Sequence, residues 1–242
     1  MAKGARGGKL SQAAGTSIPL PQIVAQPPNM QTGPVSFSNF DDQDAADLRS
    51  DMGANYDDPD VVAAIKQYIS NSNPNKDGYS HSQNLNYKLD NKLPLNATEK
   101  YIDDNIRNGM HAIGKDSNLT RFAHDDFLKA AGIQDYTKMS QAQLQSALVG
   151  RTVTTTSYLS TTYDAAKSPF APGQPQGGGR EVVMNIKAGR NTPIVFGSKR
   201  QRELIIDKGV SFRVTGVRYD GTHATPRNGG TKPRIVIDIE TY

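Results

Sequence analysis

Around Arg151 the chain changes its hydrophobic period, and that change constrains the fold more than any other feature. Upstream, apolar residues recur at helical spacing. Asp58 stands as an N-cap ahead of Pro59, with Val61, Val62, Ile65, Tyr68 and Ile69 following. Asn96 and Glu99 carry the signature of a capping box ahead of Tyr101, Ile102, Ile106 and Met110. Ser140 and Gln143 do the same ahead of Leu144, Ala147 and Leu148, with Gly150 as the stop. Downstream the texture is short β-branched runs: Thr152 to Tyr158, Glu181 to Ile186, Ile194 to Phe196, Glu203 to Ile206, Val210 to Tyr219 and Arg234 to Thr241. Turn signals at Pro169 to Gly179, Asp220-Gly221 and Asn228-Gly229-Gly230 separate them. Helices first and strands after predict an α+β fold, with an N-terminal helical lobe packed on a two-sheet, mainly antiparallel β core.

A length of 242 residues suits one sizeable domain with an extension. Residues 1–55 are rich in Gly, Ser, Gln, Pro and Asn with scattered apolar positions, a composition that buries too little surface to offset ordering of the chain. They read as a flexible or partner-docked arm, in which Ile18-Pro19-Leu20 and Ile23-Val24 are the pieces able to dock to a larger assembly. Residues 56–242 read as the folded domain. The absence of cysteine excludes disulfides, thiol nucleophiles and Cys-ligated zinc. His81, His111, His124 and His223 show no paired-ligand spacing, so no metal is expected. No stretch is apolar enough to span a bilayer, and the basic start, Met1 to Lys9, lacks the apolar core of a Sec-type leader. A formal charge of +4 fits acidic ligands such as dinucleotides or RNA, and equally fits many soluble proteins. Gly177-Gly178-Gly179 lacks a Walker lysine, and neither a nucleophile elbow nor a Rossmann glycine turn is present.

Chemistry concentrates at Gln201-Arg202-Glu203, directly ahead of Leu204-Ile205-Ile206. If the triplet belongs to the strand, alternation puts Gln201 and Glu203 on one side while Leu204 and Ile206 turn to the core. A lone Gln-x-Glu is also what a solvated strand entrance looks like. Its weight comes from its company in chain order: Arg121, then Tyr158-Leu159-Ser160-Thr161-Thr162, then Gln201 to Glu203. Arg121 has a duller reading as a surface charge paired with Asp125 or Asp126, and Phe196 has one as a core residue.

Together these residues resemble the mono-ADP-ribosyltransferases of the Arg–Ser–Glu class, Gln-x-Glu subtype, with a likeness to clostridial Rho-modifying exoenzymes and bacteriophage transferase domains. The resemblance runs from about Asp58 to Tyr242. Leu85-Asn86-Tyr87-Lys88-Leu89 is similar to a helical-lobe motif, although Asp90 stands where the family often has Arg. Leu119-Thr120-Arg121-Phe122 takes the place of the strand-end arginine, and Tyr158 to Thr162 that of the aromatic-apolar-Ser-Thr-Ser element. Ile194 to Glu203 resembles the acceptor-recognition loop.

The resemblance implies NAD as co-substrate, bound without a Rossmann fold, and ADP-ribose passed to a macromolecular acceptor. It assigns NAD binding to Arg121, Ser160, Thr162, Asn86 and Glu203. A guanidinium forms a planar fork of donors for phosphate oxygens. A carboxylate beside the ribose stabilises developing oxocarbenium character more than the ground state, the work expected of Glu203. Ser160 would orient Glu203, with Thr162 behind it. Gln201 and Phe196 would meet the acceptor, a host protein or, as the other class, RNA. Gln at position 201 goes with non-arginine acceptors in the family. The expected setting is the cytoplasm of a host or target cell, reached with a virion or by specialised secretion. Two rivals stand beside this reading: a non-catalytic virion or assembly protein that keeps the transferase fold, and a nucleic-acid binder using Lys199, Arg200 and Arg202.

Overall fold

The computed structural model describes residues 36–55, 57–70, 79–124, 127–128, 131–171, 180–224 and 231–241. Asp58, Asn96 and Ser140 each cap a helix as the sequence predicts. Asp58 accepts from the backbone N–H groups of Asp60 and Val61 at the head of α2 (Pro59–Tyr68). Asn96 and Glu99 close a reciprocal capping box at the head of α4 (Ala97–Asn108), and Ser140 with Gln143 closes another on α5 (Gln141–Leu148). Two helices were not foreseen. α3 (His81–Asp90) begins with a Ser80–Gln83 capping box, and α1 (Asp42–Met52) with an Asp41–Asp44 box.

α1 corrects the expectation that the first 55 residues form an arm. Its sequence is polar overall, but Ala45, Leu48 and Met52 fall on one face and are buried, together with Phe40 just ahead of it. Ser38–Asn39 (β1) also pairs in parallel with Ser117 and Asn118. Residues 1–35, with the apolar patches expected to dock, lie outside the described residues.

The strands are β2 (His111–Ala112), β3 (Ser117–Ala123), β4 (Thr152–Thr154), β5 (Leu159–Thr162), β6 (Val182–Ala188), β7 (Pro193–Phe196), β8 (Glu203–Ile206), β9 (Ser211–Ala224) and β10 (Thr231–Thr241). Hydrogen bonding runs in the order β2-β7-β8-β5-β3-β6-β10-β9-β4, with β1 also on β3. Among the described residues only β1–β3 and β6–β10 are parallel, so the sheet is mainly antiparallel as expected. In place of the two expected sheets there is one continuous ten-stranded sheet, narrowest between β3 and β5, where a single residue pair, Thr120 with Thr162, joins its two halves.

On β6 the alternation of buried Val182, Met184, Ile186 and Ala188 with half-buried or exposed neighbours marks the core face. Each such aliphatic side chain contributes roughly 1.5–3 kcal/mol by leaving water, Ala188 less. Two expected connections differ. Asp220-Gly221 is a β-bulge within β9: both residues face Arg234 alone, and Gly221 takes φ +66°. The run from Thr152 breaks after Thr154, because the Thr155 hydroxyl and N–H both turn to the Val210 carbonyl. The glycine cluster at 177–179 and the turn at 228–230 lie outside the described residues. No helix among the described residues is long and apolar enough to cross a membrane.

Glu99 is 3 % exposed and accepts both from Asn96 N–H and from Lys88 Nζ at 2.7 Å, so the cap is tied to the neighbouring helix. Asn96→Ala is expected to lower unfolding free energy by about 1 kcal/mol, read as a fall in urea midpoint at unchanged slope.

Candidate active site

Arg121, Ser160 and Glu203 come from β3, β5 and β8, three neighbouring strands that straddle the join between the sheet halves. Arg121 Nη1 donates to the Ser160 carbonyl at 2.7 Å. The Ser160 hydroxyl and the Arg121 charge both favour the ionised form of the Glu203 carboxyl. Glu203 Oε2 also accepts from the Ser198 N–H at 2.9 Å. Burial pushes the Glu203 carboxyl above its ordinary value, and the Ser198 N–H, the Ser160 hydroxyl and Arg121 pull it back. The expected trio therefore meets around one carboxylate.

Tyr68 and Gly197, which the sequence did not single out for the site, complete the surroundings together with the expected Asn86. Tyr68, 2 % exposed at the end of α2, accepts from Asn86 Nδ2 at 3.0 Å, and the Ser160 hydroxyl acts on it as well. Burial pushes its phenol up to about 12, so it stays protonated at neutral pH. Asn86 Nδ2 also donates to the Tyr158 carbonyl at 3.3 Å, while Asn86 Oδ1 is buried with no partner among the described residues. Gly197 is required by close approach: a Cβ there would lie 2.4 Å from Glu203 Oε2 and 2.7 Å from its carboxyl carbon. No sequence signal points to Tyr68, whose role depends on a contact across the fold. Gly197 is visible only as a glycine ending a strand in the recognition loop.

Three expectations about the loop are corrected. Gln201 and Glu203 do not alternate along one strand, because Ser198 caps a single 3₁₀ turn, Lys199–Gln201, and only Glu203 begins β8. Between them Arg202 adopts φ 49°, ψ 45°, a left-handed conformation that disfavours a side chain. Ion pairs hold it there: Arg202 Nη1 meets Asp164 at 2.8 Å, and Nε and Nη2 meet Asp42 of α1 at 2.9 and 2.5 Å. Thr162, expected at NAD, instead donates its hydroxyl to the Gln201 carbonyl at 3.1 Å and lies close to the Asp164 carbonyl at 3.3 Å, so it props the loop. Phe196, expected to meet the acceptor, is 3 % exposed in the core, with the Arg49 guanidinium 4.1 Å over its ring. Asp125 and Asp126, the alternative partners of Arg121, lie outside the described residues. Asp90, where the resemblance would often have Arg, accepts from the Thr156 hydroxyl at 2.5 Å.

A model of the ADP-ribosyltransferase exoenzyme family matches residues 61–241. The chain belongs to that family. The family is one of ADP-ribosyltransferases. No curated protein matches the sequence. Among solved structures, the enzymatic component of the Clostridium botulinum C2 toxin aligns with TM-score 0.59 at 15% identity, over 86% of this chain and 49% of that one. The chain thus spans about half the length of that toxin component. The C3 exoenzyme of Clostridium limosum aligns with TM-score 0.56 at 16% identity, over 86% of this chain and 98% of that one. An ADP-ribosylating toxin of a C. perfringens binary enterotoxin, solved with NADH, gives 0.57 at 13%, over 83% and 48%. At these identities the likeness is one of fold. Among the described residues no three His, Cys, Asp or Glu gather as a metal site.

Two outcomes follow from the Glu203 environment. A carboxyl whose folded value is raised adds stability that is full below the unfolded value and lost as pH rises through the folded one. Glu203→Gln in this protein is therefore expected to melt at the same or a higher temperature than wild type near pH 7, with the advantage gone near pH 4, measured by calorimetry. Gly197→Ala must displace the carboxylate, so nicotinamide release is expected to fall about tenfold or more with the circular dichroism spectrum unchanged.

Proposed function

We propose that this protein is a mono-ADP-ribosyltransferase that breaks the nicotinamide–ribose bond of NAD and transfers ADP-ribose to a macromolecular acceptor other than an arginine side chain. The observation that carries this is the meeting of Arg121, Ser160 and Glu203 around one half-buried carboxylate at the sheet join. The donor set fits NAD: a guanidinium for phosphate oxygens, an ionisable carboxylate for a ribose hydroxyl, and the unpartnered Asn86 Oδ1 for a donor hydroxyl or amide. Bound NAD supplies the scissile bond and nicotinamide as leaving group.

In this reading Arg121 anchors the phosphates. Ser160 fixes the Glu203 carboxylate, and Ser198 N–H holds its second oxygen contact. Glu203, ionised, stabilises positive charge developing on the ribose as the bond to nicotinamide lengthens. The acceptor nucleophile then bonds to the same carbon, and its proton passes to a base, for which Glu203 is the one carboxylate of the trio. Gln201, two residues before Glu203, is the amide available to hydrogen-bond the acceptor. Thr162 and Arg202 fix the backbone that presents it. The family's exoenzyme description supports action in the cytoplasm of a target cell, and this reading adds a virion or specialised secretion as the carrier.

Incubation with labelled NAD and a bacterial lysate is expected to label a discrete acceptor and release nicotinamide. Glu203→Gln should abolish both. Gln201→Ala should lose the label while keeping NAD hydrolysis. The acid limb of the pH profile should lie above the ordinary carboxylate range, because charge on Glu203 is needed and burial opposes it. No nicotinamide release from wild type, together with no NAD-induced rise in melting temperature, would instead favour the non-catalytic assembly protein.

A further inference from the structure

Lys199 and Arg200 immediately precede Gln201, and both are exposed. Among the described residues neither makes an ion pair or a side-chain hydrogen bond, whereas the next basic residue, Arg202, is paired twice. These residues line a depression of about 470 Å³ with Asp42, Arg49 and Tyr163. The depression includes none of Arg121, Ser160 and Glu203, so it is separate from the proposed dinucleotide site. Its carboxylate, Asp42, is engaged by Arg202 and by the Tyr163 hydroxyl, which holds that acid well below the ordinary range and leaves the excess charge positive.

We infer that this depression is the acceptor's docking site and that it takes an acidic protein segment, with Lys199 and Arg200 pairing carboxylates that flank the modified residue. The inference rests on the transferase reading above, since only an acceptor needs to lie beside Gln201. Residues on both sides of Gln201 line the depression, and consecutive Cα atoms are about 3.8 Å apart. A segment seated there is within reach of the Gln201 amide.

A nucleic acid fits less well. Single strands are held by a cationic track over several nucleotides with aromatic faces for stacking. Here Arg49, Lys199, Arg200 and Arg202 gather in one depression. Its one aromatic, Tyr163, is tied by its hydroxyl to Asp42 at 3.2 Å and packed edge-on against Phe40 at 5.3 Å. The Asp42 and Asp164 carboxylates beside Arg202 would also repel a phosphate backbone.

The test uses the full chain and three fluorescent probes: a peptide of about ten residues with glutamates around a central asparagine, the same peptide with Gln for Glu, and a single-stranded RNA of similar length. Each is titrated by anisotropy against wild type and Lys199→Glu/Arg200→Glu, with NAD hydrolysis measured in parallel. Wild type is expected to bind the acidic peptide at least about tenfold more tightly than the neutral one, a preference that weakens with added salt. The double variant should lose that preference and the lysate label while hydrolysing NAD at the wild-type rate. Equal binding of both peptides, or an unchanged label in the double variant, overturns the inference. So does tighter binding of RNA that is lost in the variant, which would make the acceptor a nucleic acid. Absence of NAD hydrolysis in wild type would overturn the transferase reading and, with it, the assignment of a charge-selective depression to an acceptor.

Discussion

One hydrogen bond crosses the thinnest place in the sheet. β3 and β5 share a single residue pair, Thr120 with Thr162, and beside it Arg121 reaches over to the Ser160 carbonyl at 2.7 Å. Strands so briefly paired leave backbone groups that need other partners. A side chain that completes the pairing and also carries a fixed positive charge makes the join rigid and electropositive together. The carboxylate of Glu203 settles against this charge. Without Arg121 the half-buried acid would face its desolvation with only Ser198 N–H and the Ser160 hydroxyl to offset it.

The surroundings of Glu203 balance two demands. Burial makes the carboxylate costly to ionise and therefore strong when ionised, because little water competes for its charge. The donors aimed at it keep that ionisation attainable. Gly197 sets the distance of closest approach: the strand end runs so near the carboxyl that any side chain there would occupy its place. Tyr68 and Asn86 hold the other flank through bonds between helices α2 and α3 and the β5 entrance. The helical lobe thus does more than cover the sheet, since it supplies one wall of the site.

Much of the architecture was legible because its causes are local. Caps are written within four residues, so those at Asp58, Asn96 and Ser140 were readable, and β8 runs from Glu203 to Ile206 as expected. α1 was not, because its apolar face is only Ala45, Leu48 and Met52 in an otherwise charged segment. The convergence of Arg121, Ser160 and Glu203 was expected from their order through a family resemblance, not from any local pattern. Roles that depend on distant contacts were misread. Phe196 is apolar and loop-adjacent by sequence, yet Arg49 from α1 closes over it. Thr162 looks like a ligand by position, yet its hydroxyl is consumed by Gln201 and Asp164. Alternation failed at Arg202, where a 3₁₀ turn held by two ion pairs replaces the strand.

Asp42 and Arg202 are 160 residues apart in sequence. A nascent polypeptide makes the acidic half of this clasp long before the basic half exists, and closing so large a span is entropically slow. The loop that carries Gln201 would therefore be among the last parts to set. Trimming the protein to residues 61–241, the stretch that defines its kinship, would keep the trio and discard the clasp's first half. Arg202 would be left with Asp164 as its ion-pair partner.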